Sequence, residues 1–140
     1  MTVFHTTRRI EFGDTDMAGI VHFANFFRFM EAAECEFLRS RGLSVKMEWE
    51  GQPIGFPRVS ATCEYVSPAR FEDLLDVAVA MERIGGKSVT YAFEFTRTGT
   101  VVARGKVTSV CCKIDATHRL EAIEIPAGYR ARLTANAPTA

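Results

Sequence analysis

One switch in hydrophobic periodicity most strongly limits the folds open to this chain. From Phe23 onward, apolar residues recur at steps of three and four, which predicts one amphipathic helix. Glycine commonly follows the last helical residue, so the helix is predicted to end near Gly42 after about 17 residues, or about 25 Å. The apolar stripe consists of Phe23, Phe26, Met30, Ala33 and Phe37.

Beyond residue 58 the period changes to two, which predicts strands joined by short turns. The alternating segments are 58–65, 76–81, 89–95 and 101–114, with a first strand at 9–12, turns at 85–86 and 98–100, and a polar linker at 48–53. The helix can bury its stripe only by lying across the resulting antiparallel sheet. The predicted class is α+β, a curved antiparallel sheet wrapped around one long central helix.

Composition narrows the number of domains, the binding partners and the location expected for this chain. Because 47% of the 140 residues are hydrophobic, we expect a single domain at 1–133, followed by a frayed tail at 134–140. Seventeen basic and seventeen acidic residues cancel, so no overall field favours nucleic acid or an anionic membrane. No apolar run approaches the roughly 18–20 residues that cross a bilayer, and the N-terminus lacks a signal-peptide core. A soluble cytoplasmic protein is therefore predicted.

The four cysteines are too irregularly spaced to predict a metal site. Cys35, Cys63, Cys111 and Cys112 include no C-x-x-C pair, and the adjacent pair points to opposite sides of a strand. We expect reduced, mostly buried thiols and no bound metal.

The stretch 11–26 carries the most chemistry. It leads from a strand through a turn containing Asp14 and Asp16 to the start of the predicted helix. An acidic side chain then lies beside free backbone N–H groups, which stabilise negative charge on a carbonyl oxygen. This pairing suits acyl-group hydrolysis. The alternative is that the aspartates only stabilise the turn or cap the helix.

These residues closely resemble the 4-hydroxybenzoyl-CoA thioesterase family of hot-dog-fold proteins. The similarity covers roughly residues 6–130, through the segments 10–16, 18–21, 65–74, 86–88 and 122–126 and through Asn25. It implies a helix wrapped by a five- or six-stranded sheet, and dimers with a continuous sheet that often pair again. It also implies hydrolysis of acyl-CoA thioesters without a metal or organic cofactor.

The resemblance assigns the catalytic carboxylate to Asp16. Such a carboxylate can attack the thioester carbonyl or deprotonate a water, while N–H groups near Phe23 stabilise the oxyanion. The leaving thiolate needs no strong general acid because an ordinary thiol has a pKa of about 8.5. Asp14 is better explained as a turn-stabilising residue, and Asn25 as a hydrogen-bonding support for the helix start.

Three neighbouring residues are candidates for binding the acyl group. Gly19 allows close backbone approach at the turn. His22 either hydrogen-bonds the acyl portion and assists proton transfer, or packs at a dimer seam. Phe26 either lines an acyl cavity together with Phe23, Phe27, Phe56 and Trp49 or belongs to the core, as aromatic residues at helical spacing commonly do.

The phosphates of coenzyme A require positive charge. By resemblance, Lys87 and Ser88 match positions that hold nucleotide phosphates, although Gly-Gly-Lys is also an ordinary hairpin tip. Arg58, Arg70 and Arg104 are further candidates, each of which is otherwise a solvated or ion-paired surface residue.

Two other functions stay open at this point. A hot-dog hydratase or dehydratase needs an acid and a base on either side of a Cα–Cβ bond. His22 lies so near Asp16 in sequence that this pair gives little support to such a function. A non-catalytic acyl-CoA-binding module would use the same groove without turnover, and an acyl carrier protein could replace coenzyme A as the thiol. Since one sheet around one helix leaves long edge strands, we expect at least a homodimer with sites shared across its seam.

Overall fold

The computed structural model describes residues 3–135. This part contains two α-helices, α1 (Asn25–Ser40) and α2 (Ala127–Thr134), and a 3₁₀ turn at Phe12–Asp14. The strands are β1 (Val3–Arg9), β2 (Lys46–Trp49), β3 (Gln52–Gly55), β4 (Arg58–Tyr65), β5 (Leu74–Ile84), β6 (Ser88–Arg97), β7 (Thr100–Val110), β8 (Cys112–Ile114) and β9 (Leu120–Ala122). Neither helix in this range is long and apolar enough to cross a membrane.

The main sheet has five antiparallel strands in the order β1-β5-β6-β7-β4. Alternate residues of β6 are buried, as its period of two predicts. Thr98 and Gly99 connect β6 to β7 with φ angles of 45° and 83°, the backbone that a tight hairpin turn needs. The predicted strands from 58 to 110 and their turns are confirmed, and β1 and β4 form the two edges.

Helix α1 lies across the inner face of this sheet. Its buried residues are Phe26, Phe29, Met30, Ala33, Glu34, Phe37 and Leu38. Gly105 of β7 lets the helix approach, because a Cβ there would collide with the Met30 side chain. Gly42 has a φ of 70°, and the N–H of Leu43 donates to the carbonyl of Leu38 at 2.8 Å. This Schellman termination confirms the predicted helix end.

The start of α1 and the bounds of the first strand differ from those predicted. The helix begins at Asn25, so Phe23 lies in the turn before it, because the chain must first complete the loop that carries Asp16. Strand β1 ends at Arg9, whereas Phe12 belongs to the 3₁₀ turn. There the carboxylate of Asp14 accepts the N–H of Glu11 at 2.8 Å, and this local capping outweighs the alternating pattern.

A second sheet, β2-β3-β8-β9, corrects two further predictions. The predicted linker at 48–53 is instead the β2–β3 hairpin, turning at Glu50 and Gly51 with φ angles of 49° and 81°. The predicted strand 101–114 breaks at Cys111, so that β8 can pair with β3. Short strands with few buried side chains give a weak alternation, which is why the sequence pattern did not indicate them.

Helix α2 was not predicted, because only Tyr129 and Leu133 of its residues are buried. Tyr129 stacks on Phe56 with ring centroids 5.0 Å apart, and its hydroxyl donates to the carbonyl of Ser44 at 2.9 Å. The helix includes Thr134, the first residue of the predicted tail. Residues 136–140 of that tail lie outside the described range.

Candidate active site

The Asp16 segment forms a small hairpin. The N–H of Asp16 donates to the carbonyl of Ile20, and the N–H of Gly19 donates back to the carbonyl of Asp16, both at 2.9 Å. Gly19 has a φ of 77°, which favours glycine, and a Cβ built there meets no atom within 4 Å. The need for Gly19 is therefore conformational, and no close approach of protein atoms explains it.

The two oxygens of the Asp16 carboxylate differ in their environment. Oδ1 accepts the N–H of Ala18 at 2.8 Å, which is the turn-stabilising role considered as an alternative. No group among residues 3–135 donates to Oδ2, and the side chain is exposed. One oxygen thus fixes the side chain, while the other stays available for chemistry.

Asp14 and Asn25 support this hairpin, as expected. The carbonyl of Asp14 accepts the N–H of His22 at 2.9 Å and the Nδ2 of Asn25 at 2.8 Å. The Asp14 carboxylate also lies 3.9 Å from the Arg8 guanidinium. These contacts tie the hairpin to the first turn of α1 and to β1, so the role of Asp14 is structural.

A backbone N–H with no acceptor lies just before α1. Within residues 3–135, nothing accepts from the N–H of Phe23, whereas its carbonyl accepts the Tyr65 hydroxyl at 3.0 Å. The Nδ1 of His22 accepts the next N–H, that of Ala24, at 3.3 Å, and the imidazole stacks on the Phe23 ring at 4.8 Å. His22 therefore shapes this turn, and it does not line the neighbouring crevice.

A crevice of about 450 Å³ lies between this turn and the end of β4. It is lined by Ile20, Val21, Phe23, Phe26, Tyr65, Val66, Ser67, Pro68 and Ala69. Phe26 is only 4% exposed and packs against Phe95 and Tyr65, so it serves as both core residue and crevice wall. Asp16 is not one of the lining residues, but Ile20, whose carbonyl accepts the N–H of Asp16, is.

Sequence reasoning missed the wall formed by residues 65–69. Those residues contributed to the family resemblance but were not proposed as site residues. Tyr65 is 48% exposed although it is aromatic, and Pro68 follows shortly after the end of the strand. An aromatic residue at the end of a strand, followed by Ser-Pro, is the signal that would have indicated this wall.

Hydrogen bonds to Asp73 hold this wall in place. Its Oδ2 accepts the N–H of Arg70 at 2.8 Å and the Arg97 guanidinium at 2.9 Å, and Arg97 also donates to the carbonyl of Pro68. Partial burial opposes ionisation of Asp73, but these bonds outweigh it and hold its pKa below the ordinary value.

Replacing Asp73 with asparagine should destabilise the protein by about 1 kcal/mol at neutral pH. The carboxylate is favoured in the folded state, so its contribution is present above the ordinary aspartate pKa of about 3.9 and is lost as the pH falls through the lowered value. Urea unfolding of both proteins across this pH range measures the difference. A gap that stays constant from about pH 7 to about pH 2 would contradict this assignment.

Lys87 and Ser88 lie far from Asp16 within one chain. Lys87 ends the β5–β6 turn and Ser88 begins β6, whereas the other end of β6 approaches the crevice wall. A ten-residue strand spans about 30 Å. Arg130 donates to the carbonyls of Gly85 and Gly86, and a Cβ on Gly86 would lie 2.8 Å from the Glu124 carboxylate. The glycine side of the turn therefore carries both a positive and a negative side chain.

Two of the three arginine candidates have acidic partners. Arg58 pairs with Glu34 at 2.6 Å and Arg104 with Glu94 at 3.0 Å. The four cysteines are unpaired, and burial raises the pKa of the Cys111 thiol to about 11. Among residues 3–135, no group of three or more His, Cys, Asp or Glu side chains is placed to hold a metal ion.

Comparisons with known proteins identify the family. A family model described as the thioesterase-like superfamily matches residues 10–133. The 4-hydroxybenzoyl-CoA thioesterase of Pseudomonas sp. (strain CBS-3) is 35% identical over 129 residues, covering 87% of this chain and 91% of that protein. The 1,4-dihydroxy-2-naphthoyl-CoA hydrolase of Nostoc punctiforme is 31% identical over 116 residues, covering 83% and 77%.

Solved structures agree with these relatives. The structure of the Pseudomonas 4-hydroxybenzoyl-CoA thioesterase matches with a TM-score of 0.81 at 30% identity, covering 94% of this chain and 99% of that one. A mutant of 4-hydroxybenzoyl-CoA thioesterase in complex with 4-hydroxybenzoyl-CoA gives 0.82 at 27% identity, covering 96% and 100%. The chain therefore belongs to the thioesterase-like superfamily. Within it, the chain is a thioester hydrolase related to the 4-hydroxybenzoyl-CoA thioesterases.

Proposed function

We propose that this protein hydrolyses an acyl-CoA thioester to the free acid and coenzyme A, with Asp16 as nucleophile or general base. One arrangement supports the proposal: among residues 3–135 Oδ2 of Asp16 has no donor and the N–H of Phe23 has no acceptor, and Ile20, which pairs with Asp16 in the hairpin, lines the same crevice as Phe23. Two relatives support it, since they are named as hydrolases of aromatic acyl-CoA esters.

The chemistry follows from these two groups. In the nucleophilic route, Oδ2 of Asp16 attacks the carbonyl carbon, and the C–S bond breaks to release the coenzyme A thiolate and leave a mixed anhydride. Water then hydrolyses the anhydride and restores the carboxylate. In the general-base route, Asp16 takes a proton from the water that attacks directly. In both, the N–H of Phe23 donates to the oxyanion, a bond that contributes about 3–4 kcal/mol.

A second copy of the chain would complete this site. Among the strands of residues 3–135, β4 is an edge strand that pairs only with β7. Val59 and Tyr65 within it and Val66 just beyond it expose 62%, 48% and 54% of their surfaces. Two such edges, paired antiparallel, would bring the β5–β6 turn of one subunit towards the crevice of the other. Lys87 and Ser88 would then bind the phosphates in trans.

Light scattering at micromolar concentration should accordingly give at least a dimer. Introducing a proline at Thr62, near the middle of β4, removes a strand N–H and should shift the protein towards monomer with loss of thiol release. Leu120→Pro is the control, because it introduces a proline into β9 of the small sheet and not into β4. A stable wild-type monomer would contradict the shared site.

A thiol-release assay over short, branched, aromatic and long acyl-CoA esters tests the function. We expect release of free coenzyme A with at least one aromatic or medium-chain ester, since the crevice is mostly apolar and aromatic. Hydration of an enoyl-CoA without free thiol would instead identify a hydratase. Tight binding of acyl-CoA without any turnover would identify a binding module, and either result would reject the proposal.

A further inference from the structure

Two peptide groups meet at Phe23, and together they set the direction of the N–H proposed as the oxyanion donor. The N–H belongs to the group that joins His22 to Phe23, and the Phe23 carbonyl belongs to the next group, which joins Phe23 to Ala24. The carbonyl of His22 accepts the N–H of Asn25 at 2.9 Å, so the first group is held at its oxygen. Each group is rigid and only the Phe23 dihedral angles relate the two, so a firm hold on the second limits rotation of the first.

The second peptide group has three hydrogen-bonding contacts, of which the one from Tyr65 is the firmest. The Phe26 N–H reaches the Phe23 carbonyl at 3.4 Å, and Nδ1 of His22 accepts the Ala24 N–H at 3.3 Å. Both distances exceed the usual upper limit of about 3.2 Å for N–H donors. The Tyr65 hydroxyl donates to the same carbonyl at 3.0 Å, within the range for a hydroxyl donor. Within residues 3–135, this bond alone joins the group to a segment more than four positions away.

The backbone at Tyr65 is bonded to β7, a strand inside the main sheet. Tyr65 is the last residue of β4 and pairs with Ala103 of β7, which is fully buried. The next two N–H groups, of Val66 and Ser67, both donate to the carbonyl of Val102, at 2.9 and 3.1 Å. Because β7 lies between β6 and β4, this side of the crevice is fixed more precisely than the turn that it contacts.

The ring and the hydroxyl of Tyr65 have separate contacts. The ring packs edge-on against Phe26, a core residue in the first turn of α1, with centroids 5.7 Å apart. The hydroxyl instead donates to the Phe23 carbonyl. Partial burial and the neighbouring Cys63 raise the pKa of Tyr65 above its ordinary value of about 10, so the hydroxyl stays protonated and remains a donor at neutral pH. A phenylalanine at this position therefore removes the bond and keeps the packing.

We propose that Tyr65 is a positioning residue for hydrolysis, whose hydroxyl holds the peptide group between Phe23 and Ala24 so that the Phe23 N–H stays directed at the oxyanion. This inference rests on the proposed function. Tyr65 acts through Phe23, because its hydroxyl proton is given to a backbone carbonyl and not to the substrate. A donor displaced by about 1 Å can lower a rate about 100-fold. The effect should appear in kcat, because the oxyanion forms only after the substrate has bound.

Tyr65→Phe should lower kcat for thiol release by about 10- to 100-fold, measured with an aromatic acyl-CoA ester from the panel. KM should change by less than about threefold, since the ring that lines the crevice is retained. A loss confined to the transition state lowers kcat and kcat/KM together, whereas a loss of crevice packing raises KM. An unchanged kcat, or a rise in KM alone, would overturn the inference.

Tyr129→Phe is the matched control, because it removes the same kind of bond at a distant place. The Tyr129 hydroxyl donates to the carbonyl of Ser44 at 2.9 Å, and its ring contacts Trp49 and Phe56. None of these four residues lines the crevice, so Trp49 and Phe56 pack against α2 and not around the crevice. This variant should have a lower melting temperature and a kcat within about twofold of wild type. Light scattering and melting temperature are measured for both variants, and equal losses of kcat would identify a general loss of stability and reject the role of Tyr65.

The vibrational frequency of a bound thioester carbonyl separates this inference from the proposed function. Benzoyl-CoA, isotope-labelled at that carbonyl, is bound to Asp16→Asn, in which turnover should be slow, and to Asp16→Asn combined with Tyr65→Phe. A hydrogen bond from the Phe23 N–H lowers the stretching frequency, so loss of the Tyr65 hydroxyl should raise it. If no ester releases thiol but the frequency rises, the hydrolase proposal fails and the positioning of the Phe23 N–H by Tyr65 stands. If thiol is released but neither kcat nor the frequency responds to Tyr65→Phe, the positioning role fails alone.

Discussion

Replacing Asp16 with asparagine should lower kcat for thiol release on the order of 10³-fold without unfolding the protein. Asparagine retains a carbonyl oxygen at Oδ1, so the hydrogen bond from the N–H of Ala18 that shapes the turn is kept. What is lost is the negative charge on Oδ2, the group that we propose attacks the substrate or accepts a proton from water. Steady-state thiol release gives the change in kcat, and the melting temperature verifies the fold.

Asp14→Asn is the matched control, because it removes the same charge two residues earlier. Its carboxylate caps the Glu11 N–H and lies near Arg8, so this variant should lose stability rather than chemistry. We expect a lower melting temperature with kcat within several-fold of wild type. If Asp14→Asn were inactive and Asp16→Asn active, the catalytic carboxylate would be assigned to the wrong residue.

Replacing Phe95 with alanine should reduce the free energy of unfolding by about 3–5 kcal/mol. Phe95 is fully buried in β6, and its ring contacts Phe26 and Phe29 of α1 with centroids 5.4 and 6.5 Å apart. Removing it opens a cavity beneath the first turn of the helix. Since Phe26 also lines the crevice, we expect KM to rise in addition. Urea unfolding measures the midpoint and slope.

Leu120→Ala provides the comparison for Phe95. Leu120 lies in β9 of the small sheet and is 52% exposed, so its truncation should change the free energy of unfolding by no more than about 0.5 kcal/mol. Similar losses for the two variants would show that packing between β6 and α1 does not dominate stability. A large loss of stability with unchanged KM would separate Phe26's role in the core from its role in the crevice.

Elements with strong periodicity were predicted well from the sequence. The stripe from Phe26 to Phe37 indicated α1, and Gly42 indicated its end, because a left-handed residue there depends on local backbone geometry alone. Strand β6 alternates without interruption and was placed within about two residues. The β2–β3 hairpin and α2 were missed because few of their side chains are buried, so hydrophobic periodicity carries little signal there.

The candidate site was likewise predicted only in part. The turn that carries Asp16 and the supporting roles of Asp14 and Asn25 were predicted, since their hydrogen bonds join residues close in sequence. The Tyr65 wall was missed because it meets Phe23 across 42 positions, a contact that only strand order creates. Sequence reasoning assigned Lys87 and Asp16 to one substrate site, yet the length of β6 keeps them apart within one chain.

The sequence by itself determined the fold class and the order of turn, carboxylate and helix start, because these depend on local periodicity and short-range hydrogen bonds. Its resemblance to known thioesterases indicated the superfamily. Only the tertiary structure decided that the N–H of Phe23 is unpaired and that Glu34 is buried against Arg58. Burial and hydrogen-bond satisfaction depend on which distant segments pack together. Those properties arise when β4 takes its place at the edge of the sheet beside α1.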